Sequence, residues 1–241
     1  MAKIEDSQPK TTAGGYERLV GDKDMAEIFT RAQSATIRNG SELEKIISDR
    51  ADTIGNLDDF LEACDNGFII DGSYLCGKST VKKSSYKLNG HEPDFIAFVV
   101  DGAKKLCYVV ELKDGDNFDT KKSAAEREML EIFVNHIAPK IQFATRFYIC
   151  CFNQPDKEKI VTGFKRVFDE DEVMTGREFC DILEIDYDDI VRTRRRDTLE
   201  NFDYVANRMF DIEGVRDVFS SRYREHIAEN GFYVDDTPDG E

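Results

Sequence analysis

Apolar side chains recur along the chain at helical spacing in some stretches and in unbroken runs in others. Apolar residues at 25, 28, 29 and 32 have the i, i+3, i+4, i+7 spacing of an amphipathic helix. We predict this helix over 24–38, ended by Asn39-Gly40. Ser41-Glu42-Leu43-Glu44 has the pattern of a capping box that opens a second helix, and a further short helix is predicted over 57–64.

Two dense apolar runs, 95–100 and 106–112, lie on either side of Asp101-Gly102-Ala103-Lys104. This pattern predicts a hairpin of two buried strands. Other strands are predicted at 68–70, 73–75, 144–152 and 160–168. Capping-box patterns at 123–126 and 175–178 predict two more helices, and the second opens a largely helical region that reaches residue 230. The fold class is therefore α/β with a helical C-terminal part.

No internal repeat or low-complexity linker divides the chain of 241 residues. We expect a flexible polar arm at 1–15, one domain at 16–234 and an acidic tail at 235–241. No apolar run reaches the roughly 20 residues that span a bilayer, and the first residues lack the apolar centre of a secretory signal. These features favour a cytoplasmic protein that does not enter membranes. The six cysteines are expected to be buried, reduced thiols rather than zinc ligands.

The hairpin brings charged residues to one end of its two strands. If the turn is centred on Gly102 and Ala103, paired positions sum to 205, which places Asp94 opposite Glu111. Because side chains alternate along a strand, Glu111 and Lys113 share one face. Two neighbouring buried carboxylates need a cation, and hard oxygen ligands suit Mg²⁺. The chemistry that fits is phosphodiester hydrolysis, in which Lys113 orients the attacking water or, if its pKa is depressed, helps to deprotonate it.

The residues His91-Glu92-Pro93-Asp94, followed by two apolar strands that end in Val109-Val110-Glu111-Leu112-Lys113, resemble the PD-(D/E)XK nuclease superfamily. The type II restriction endonucleases are the members most similar to this pattern, and the resemblance covers about residues 91 to 126. It implies a central mixed β-sheet flanked by helices. An Asp at the start of one strand and E-x-K at the end of the next also agree with the pairing derived above.

The resemblance also implies roles for individual residues. Asp94 and Glu111 become metal ligands, helped by the carbonyl of Leu112, and Lys113 becomes the catalytic lysine. In some members a preceding helix supplies another carboxylate, for which Glu44 is the candidate. A plain capping-box role for Glu44 remains open, as does an ordinary strand-end ion pair that uses Lys113.

These observations lead to the hypothesis of a Mg²⁺-dependent type II restriction endonuclease that cleaves both strands of duplex DNA at a short specific sequence, as a homodimer. Alternatives are a repair nuclease, a junction resolvase or an inactive DNA-binding relative. A net charge of −16 opposes DNA binding unless basic side chains gather locally. The candidates for DNA contacts are Lys78, Lys82, Lys83, Lys121, Lys122, Arg192, Arg194, Arg195 and Arg196. For the lysines at 78–83, for the arginine run, and for Lys121 and Lys122, a solvated surface is the alternative.

A different class of protein is suggested by residues 72–79, which match the phosphate-binding pattern G-x-x-x-x-G-K-S. That motif needs a helix beginning at Lys78, because the phosphate lies on the amide end of the helix. The lysine-rich stretch that follows has no helical stripe and ends at Gly90, so we expect an extended segment or loop. The match is interpreted as a coincidence, and no nucleotide cofactor is predicted.

Overall fold

The computed structural model describes residues 1–8, 14–115 and 119–230. In chain order its helices are α1 (Gly14–Val20), α2 (Lys23–Ser48), α3 (Leu57–Asp65), α4 (Lys78–Val81), α5 (Thr120–Ile137), α6 (Lys157–Gly163), α7 (Gly176–Ile182), α8 (Tyr187–Phe210) and α9 (Glu213–Asn230). The strands are β1 (Gly72–Gly77), β2 (Phe95–Asp101), β3 (Lys104–Lys113), β4 (Ala144–Cys151) and β5 (Val173–Thr175). Short 3₁₀ turns lie at Ala138–Lys140 and Glu170–Glu172. The predicted helical C-terminal part is confirmed by α7, α8 and α9.

The strands form one mixed sheet in the order β1-β2-β3-β4-β5. The pairs β1–β2 and β2–β3 are antiparallel, whereas β3–β4 and β4–β5 are parallel. Gly102 occupies the turn between β2 and β3 with φ at 56°, a left-handed conformation that glycine adopts without steric cost. The predicted α/β class, mixed sheet and central hairpin are therefore confirmed.

Helices cover both faces of the sheet, and the alternation of side chains decides which strand residues each helix contacts. Ile96, Phe98 and Val109 face a cluster that contains Phe60 of α3 and Phe133 of α5. On the opposite face, Phe95, Val110 and Leu112 pack in a cluster with Leu43 of α2 and Phe179 of α7. Asp94 is adjacent to Phe95, and Glu111 is adjacent to Val110. The two acidic side chains therefore point to the opposite face of the sheet, which is the face covered by α3 and α5.

The chain forms two compact units, Met1–Arg38 with Arg195–Glu241, and Asn39–Arg194. The whole sheet belongs to the second unit. The single domain at 16–234 stays a prediction, and the acidic tail at 235–241 lies outside the described residues. The cysteines at 64, 76, 107, 150, 151 and 180 are buried and form no disulfide, as predicted.

Residues 1–8 are packed within the first unit, in contrast to the flexible arm predicted over 1–15. The N-terminal ammonium lies 2.7 Å from Asp197 Oδ2, and the amide of Ile4 donates to Asn201 Oδ1 at 2.7 Å. Arg31 also donates to the carbonyl of Ser7 at 2.8 Å. These polar contacts hold a segment whose composition alone is typical of a frayed terminus. Residues 9–13 of the predicted arm lie outside the described ranges.

The helix α2 runs through Asn39-Gly40, so the predicted break into two helices there is wrong. An internal glycine costs only about 1 kcal/mol relative to alanine. Burial of Leu43 and Ile47, both with at most 1% exposed, offsets that cost. Ser41 to Glu44 are therefore mid-helix residues rather than a capping box, and the Glu44 side chain has no cap to make.

Several other predicted elements have different boundaries or a different type. Residues 160–168 do not form a strand, because Asp156 caps α6 by accepting bonds from the amides of Glu158 and Lys159. Residues 68–70 form no strand, and Phe68 is 80% exposed. The predicted capping box at 123–126 is also wrong, since α5 begins at Thr120 and is capped by Asp119. The capping box at Thr175 and Glu178 is confirmed.

The segment that matches the phosphate-binding pattern has the wrong structure for that role. Gly72–Gly77 is the strand β1, fully paired with β2, whereas a phosphate cradle needs a loop there. One helical turn, α4, does begin at Lys78, so the expectation of an extended segment or loop is wrong at that point. In the described part of the chain, no helix is long and apolar enough to cross a membrane.

Candidate active site

The β2–β3 hairpin sets the positions of the predicted acidic residues. Phe95 pairs with Val110, so paired positions sum to 205 and Asp94, just before β2, lies opposite Glu111. Directly opposed residues on antiparallel strands have Cβ atoms about 5 Å apart on one face of the sheet. The structure thus brings the two carboxylates together, and the predicted register is confirmed.

Both oxygens of Asp94 have hydrogen-bond donors. Oδ2 accepts a bond from the backbone amide of Leu112 at 3.1 Å, and Oδ1 lies 3.1 Å from Nζ of Lys78. The backbone amide of Lys78 also donates to the Asp94 carbonyl at 3.0 Å. The carboxylate is therefore attached to both neighbouring segments of the sheet, which fixes its direction.

Glu111 is buried with one oxygen engaged and one not. Its Oε1 accepts a bond from Lys113 Nζ at 2.8 Å, while Oε2 has no hydrogen-bond partner among the described residues. Burial first, and the Asp94 carboxylate second, raise the pKa of Glu111 to about 7. An unsatisfied buried carboxylate oxygen costs free energy, which a bound cation would recover.

Lys113 lies between two carboxylates. Its Nζ donates to Glu111 Oε1 and to Glu126 Oε1, each at 2.8 Å. Burial by itself lowers the pKa of Lys113, but the two carboxylates more than offset this and hold it above its ordinary value. Lys113 is consequently a protonated donor in the metal-free protein. The depressed pKa that proton abstraction by Lys113 requires is not found.

Glu44 of α2 is half-buried and lines a cavity of about 430 Å³ together with Asp94 and Lys78. Burial is the main cause that raises the pKa of Glu44, followed by the charge of Asp94. The helix-supplied carboxylate suggested by the resemblance is thus placed beside the predicted metal ligands.

A second cavity, of about 540 Å³, is lined by Lys78, Lys82, Glu92, Glu111 and Glu126. Lys78 and Lys82 line both cavities. Lys45, which lies 2.6 Å from Asp49, also lines the first cavity. The space around the carboxylates is large enough for a phosphate group, and these three ammonium groups stand at its wall.

The donor set fits Mg²⁺. Asp94 and the free Oε2 of Glu111 are hard oxygen donors, which Mg²⁺ prefers.

The direction of the Leu112 carbonyl follows from the backbone bonds around it. The carbonyl of Lys113 accepts a bond from the amide of Phe152, just after β4, whereas the amide of Leu112 points to the other side, towards Asp94. Since the N–H and C=O of one strand residue face the same neighbour, the Leu112 carbonyl also faces Asp94. Within 1–8, 14–115 and 119–230, no group of three His, Cys, Asp or Glu side chains is arranged as a metal site, so water and substrate would complete the coordination.

The lysines predicted to contact DNA differ in their surroundings. Lys78 is held at Asp94, with 38% of its side chain exposed. Lys82 and Lys83 follow it and are exposed. Lys121 and Lys122, at the start of α5, are exposed too, and Lys122 lies 3.7 Å from Asp119. Of the loop just before α5, residues 116–118 lie outside the described ranges.

The predicted arginines fall into two kinds. Arg194 is buried, pairs with Asp114 and lies over the Phe152 ring, which gives it a structural role in the free protein. The others are exposed. Arg192 lies 3.5 Å from Asp186 and 3.6 Å from Asp189, and Arg196 lies 3.8 Å from Glu200. Exposed pairs of this geometry are weak and can be exchanged for phosphates.

Two residues of the site are not found by reasoning from the sequence. The pattern places Glu126 in a capping box, but Glu126 pairs with Lys113 instead. Glu126 lies in the second turn of α5, the helix that connects the parallel strands β3 and β4. The packing of this helix brings Glu126 to Lys113 at the end of β3, a tertiary contact that no local pattern shows. Glu92 is 4% exposed and accepts a bond from the amide of Gly90. Its place two residues before Asp94 is the one available signal.

The chain is 44% identical over 222 residues to the type II restriction enzyme HhaII of Haemophilus parahaemolyticus. The match covers 90% of this chain and 97% of that protein. No family model matches the chain, and no solved structure matches it significantly.

Proposed function

The chain belongs to the type II restriction enzymes, and we propose that its Asp94–Glu111–Lys113 site hydrolyses phosphodiester bonds of duplex DNA with Mg²⁺. We further propose membership of the PD-(D/E)XK superfamily. One observation carries the assignment of the site: the hairpin register places Asp94 opposite Glu111, and Glu111 retains a buried oxygen with no donor in the described chain.

Mg²⁺, held by Asp94, Glu111 and the Leu112 carbonyl, would act as a Lewis acid toward the phosphate and lower the pKa of a ligated water. Lys113 carries a proton and is fixed from two sides, so it donates a hydrogen bond to the attacking water or to a phosphate oxygen. Glu126 positions Lys113 by accepting a second hydrogen bond from Nζ. Glu44 adds negative charge beside Asp94, where it can hold a further water.

A basic surface must offset the net charge of −16. We propose that Lys82, Lys83, Lys121 and Lys122 contact phosphates or base edges, since they are exposed and lie near the start of α5 or just after α4. Arg192, Arg195 and Arg196 are proposed as further contacts. For Arg194 a role in DNA binding requires that it leave Asp114.

A short specific target on both strands favours a two-fold homodimer, in which each subunit cuts one strand. Sedimentation of the protein with and without an oligonucleotide duplex measures this directly. A dimer is the expected result; a monomer that only nicks plasmid would contradict the proposed assembly.

The test of the function is incubation of purified protein with plasmid DNA, with Mg²⁺ or with EDTA. Discrete fragments that need Mg²⁺ are expected. A smear would favour a repair nuclease instead, and the absence of cleavage with any divalent cation would overturn the assignment. The Asp94→Asn variant, handled in parallel, controls for a contaminating nuclease.

A further inference from the structure

Lys78 is hydrogen-bonded to the oxygen of Asp94 that a metal ion would need as a ligand. Its Nζ lies 3.1 Å from Asp94 Oδ1, while Oδ2 is bonded to the amide of Leu112 in the frame of the sheet. A divalent cation that enters between Asp94 and Glu111 therefore meets one oxygen tied to backbone and one tied to an ammonium group. Of these two partners, the ammonium is carried by a flexible side chain, whereas the amide is part of the backbone of β3.

The two lysines of the site differ in how firmly they are held. Lys113 is bonded to two carboxylates and only 17% of its side chain is exposed. Lys78 has one carboxylate partner at hydrogen-bond distance and 38% of its side chain exposed. Its four-carbon chain can thus move its charge by several ångströms while the backbone stays bonded to the Asp94 carbonyl.

We propose that Lys78 is a resident counter-ion of Asp94 that Mg²⁺ displaces, and that the displaced ammonium then binds the phosphate of the DNA being cut. The inference rests on the proposed function and adds to Lys113 a second lysine at the phosphate being cut. The E-x-K pattern supplies Lys113, whereas Lys78 is the first residue of α4, directly after β1.

Charge explains why the exchange takes place. A carboxylate as buried as Asp94 needs a cation nearby, and Lys78 meets this need in the metal-free protein. Once Mg²⁺ binds the same oxygen, two cations a few ångströms apart repel each other, so the more exposed one moves away. Lys78 then faces the cavities that it already lines with Lys82.

The walls of these cavities explain why the ammonium is needed there. Glu44, Glu92, Glu111 and Glu126 all line one or the other cavity and would repel a phosphate. Lys82 and, at the first cavity, Lys45 are fewer than these carboxylates, and Lys45 is already paired with Asp49. A lysine released at the moment of metal binding supplies a positive charge where the anion arrives, and ammonium groups are common phosphate ligands.

The experiment combines calorimetric titration of DNA-free protein with Mg²⁺ and single-turnover cleavage at saturating Mg²⁺. Lys78→Ala should bind Mg²⁺ about tenfold more tightly, because a competing cation is gone, yet cleave at least about a hundredfold more slowly. Lys78→Arg should recover part of the cleavage rate. Lys104→Ala removes an exposed lysine beside the turn of the β2–β3 hairpin, at the end away from Asp94. This control should change neither the affinity for Mg²⁺ nor the cleavage rate.

Opposite signs for metal binding and cleavage separate this role from simple support of Asp94. If Lys78→Ala binds Mg²⁺ more weakly than wild type, or cleaves as fast as Lys104→Ala, the proposal is overturned. Lys78→Gln keeps a donor for Asp94 without the charge, and it replaces the alanine variant in the same comparison should that variant not fold. If wild type itself neither binds Mg²⁺ nor cleaves DNA, the proposed function fails, which is a different result from failure of Lys78 alone.

Discussion

The Oδ2 atom of Asp94 accepts a hydrogen bond from the backbone amide of Leu112 at 3.1 Å. The first acidic residue of the site is thereby bonded to the middle residue of E-x-K. The Asp94 carboxylate is therefore held by the backbone of the strand that carries Glu111. A variant of Asp94 can therefore lose the negative charge and keep the hydrogen bond to Leu112, or lose both.

Asp94→Asn should abolish cleavage while leaving the melting temperature close to that of wild type. The amide oxygen can still accept from Leu112, but the charge that holds Mg²⁺ is lost. Asp94→Ala should also be inactive and should lower the free energy of unfolding by about 1–3 kcal/mol, because the buried Leu112 amide loses its acceptor. Plasmid cleavage and thermal denaturation check both statements. An active Asp94→Asn variant would refute the role of Asp94.

Glu126→Gln should reduce the cleavage rate by about tenfold, a typical effect of loosening one preorganised group. Because Glu126 helps to hold the pKa of Lys113 high, the loss of activity at alkaline pH should also begin at a lower pH than in wild type. Glu128→Gln is the matched control, since Glu128 lies on the same helix with an exposed side chain. A rate profile against pH that is identical for all three proteins would contradict the positioning role.

Glu111 should make the stability of the metal-free protein depend on pH. Its pKa is raised from 4.5 to about 7 in the folded state. Its contribution to stability is therefore complete below about 4.5 and is lost as the pH rises through about 7. In EDTA, Glu111→Gln should exceed wild type in unfolding free energy at pH 8, by up to about 3 kcal/mol, with a much smaller difference at pH 5.

Chemical denaturation at the two pH values measures this difference. Added Mg²⁺ should stabilise wild type at pH 8 and leave Glu111→Gln nearly unchanged, because the metal replaces the missing partner of Oε2. A difference between the two proteins that is equal at pH 5 and pH 8 would count against the buried charge. Equal stabilisation by Mg²⁺ would place the metal elsewhere.

Gly176→Ala should strongly destabilise the fold. A Cβ at this position would lie 2.3 Å from the carbonyl oxygen of Phe152 and 2.9 Å from its Cα, both backbone atoms that cannot move aside. The expected loss is several kcal/mol. Gly214→Ala, in α9 with no atom within 4 Å of the added Cβ, should be neutral or slightly stabilising. Thermal denaturation of the pair decides, and a tolerated Gly176→Ala would contradict the close approach of α7 to the end of β4.

Each of Lys82→Ala, Lys83→Ala, Lys121→Ala and Lys122→Ala should weaken duplex binding in EDTA. Each should also reduce the slope of log K against log salt by about one if the lysine contacts a phosphate. Lys104→Ala is the control, as an exposed lysine beside the turn between β2 and β3. A variant whose slope equals that of the control does not contact the backbone, and four such variants would leave the proposed basic surface without support.

The hairpin and its register could be predicted because two long apolar runs and a central glycine leave few other pairings. Helix boundaries were harder, since Asn39-Gly40 disfavours a helix only slightly and the burial of Leu43 and Ile47 outweighs it. Residues 160–168 illustrate a short apolar run whose spacing suits a helix as well as a strand, and the Asp156 cap decides for the helix.

The site was predictable as far as it lies on one hairpin. Asp94, Glu111 and Lys113 are close in the pairing of two adjacent strands, so their meeting follows from local pattern. Glu126 and Lys78 reach the site through the packing of α5 and the pairing of β1, which depend on tertiary structure. Arg194 is buried, whereas the neighbouring arginines of α8 are exposed. This difference likewise depends on which face of α8 is packed.

The most direct measurement is the location of a divalent cation in crystals of the protein soaked in Mn²⁺, by anomalous diffraction. We expect a peak within about 2.0–2.6 Å of oxygens from Asp94, Glu111 and the Leu112 carbonyl. A peak bound by other residues, or no peak at a manganese concentration that supports cleavage, would contradict the proposed metal site.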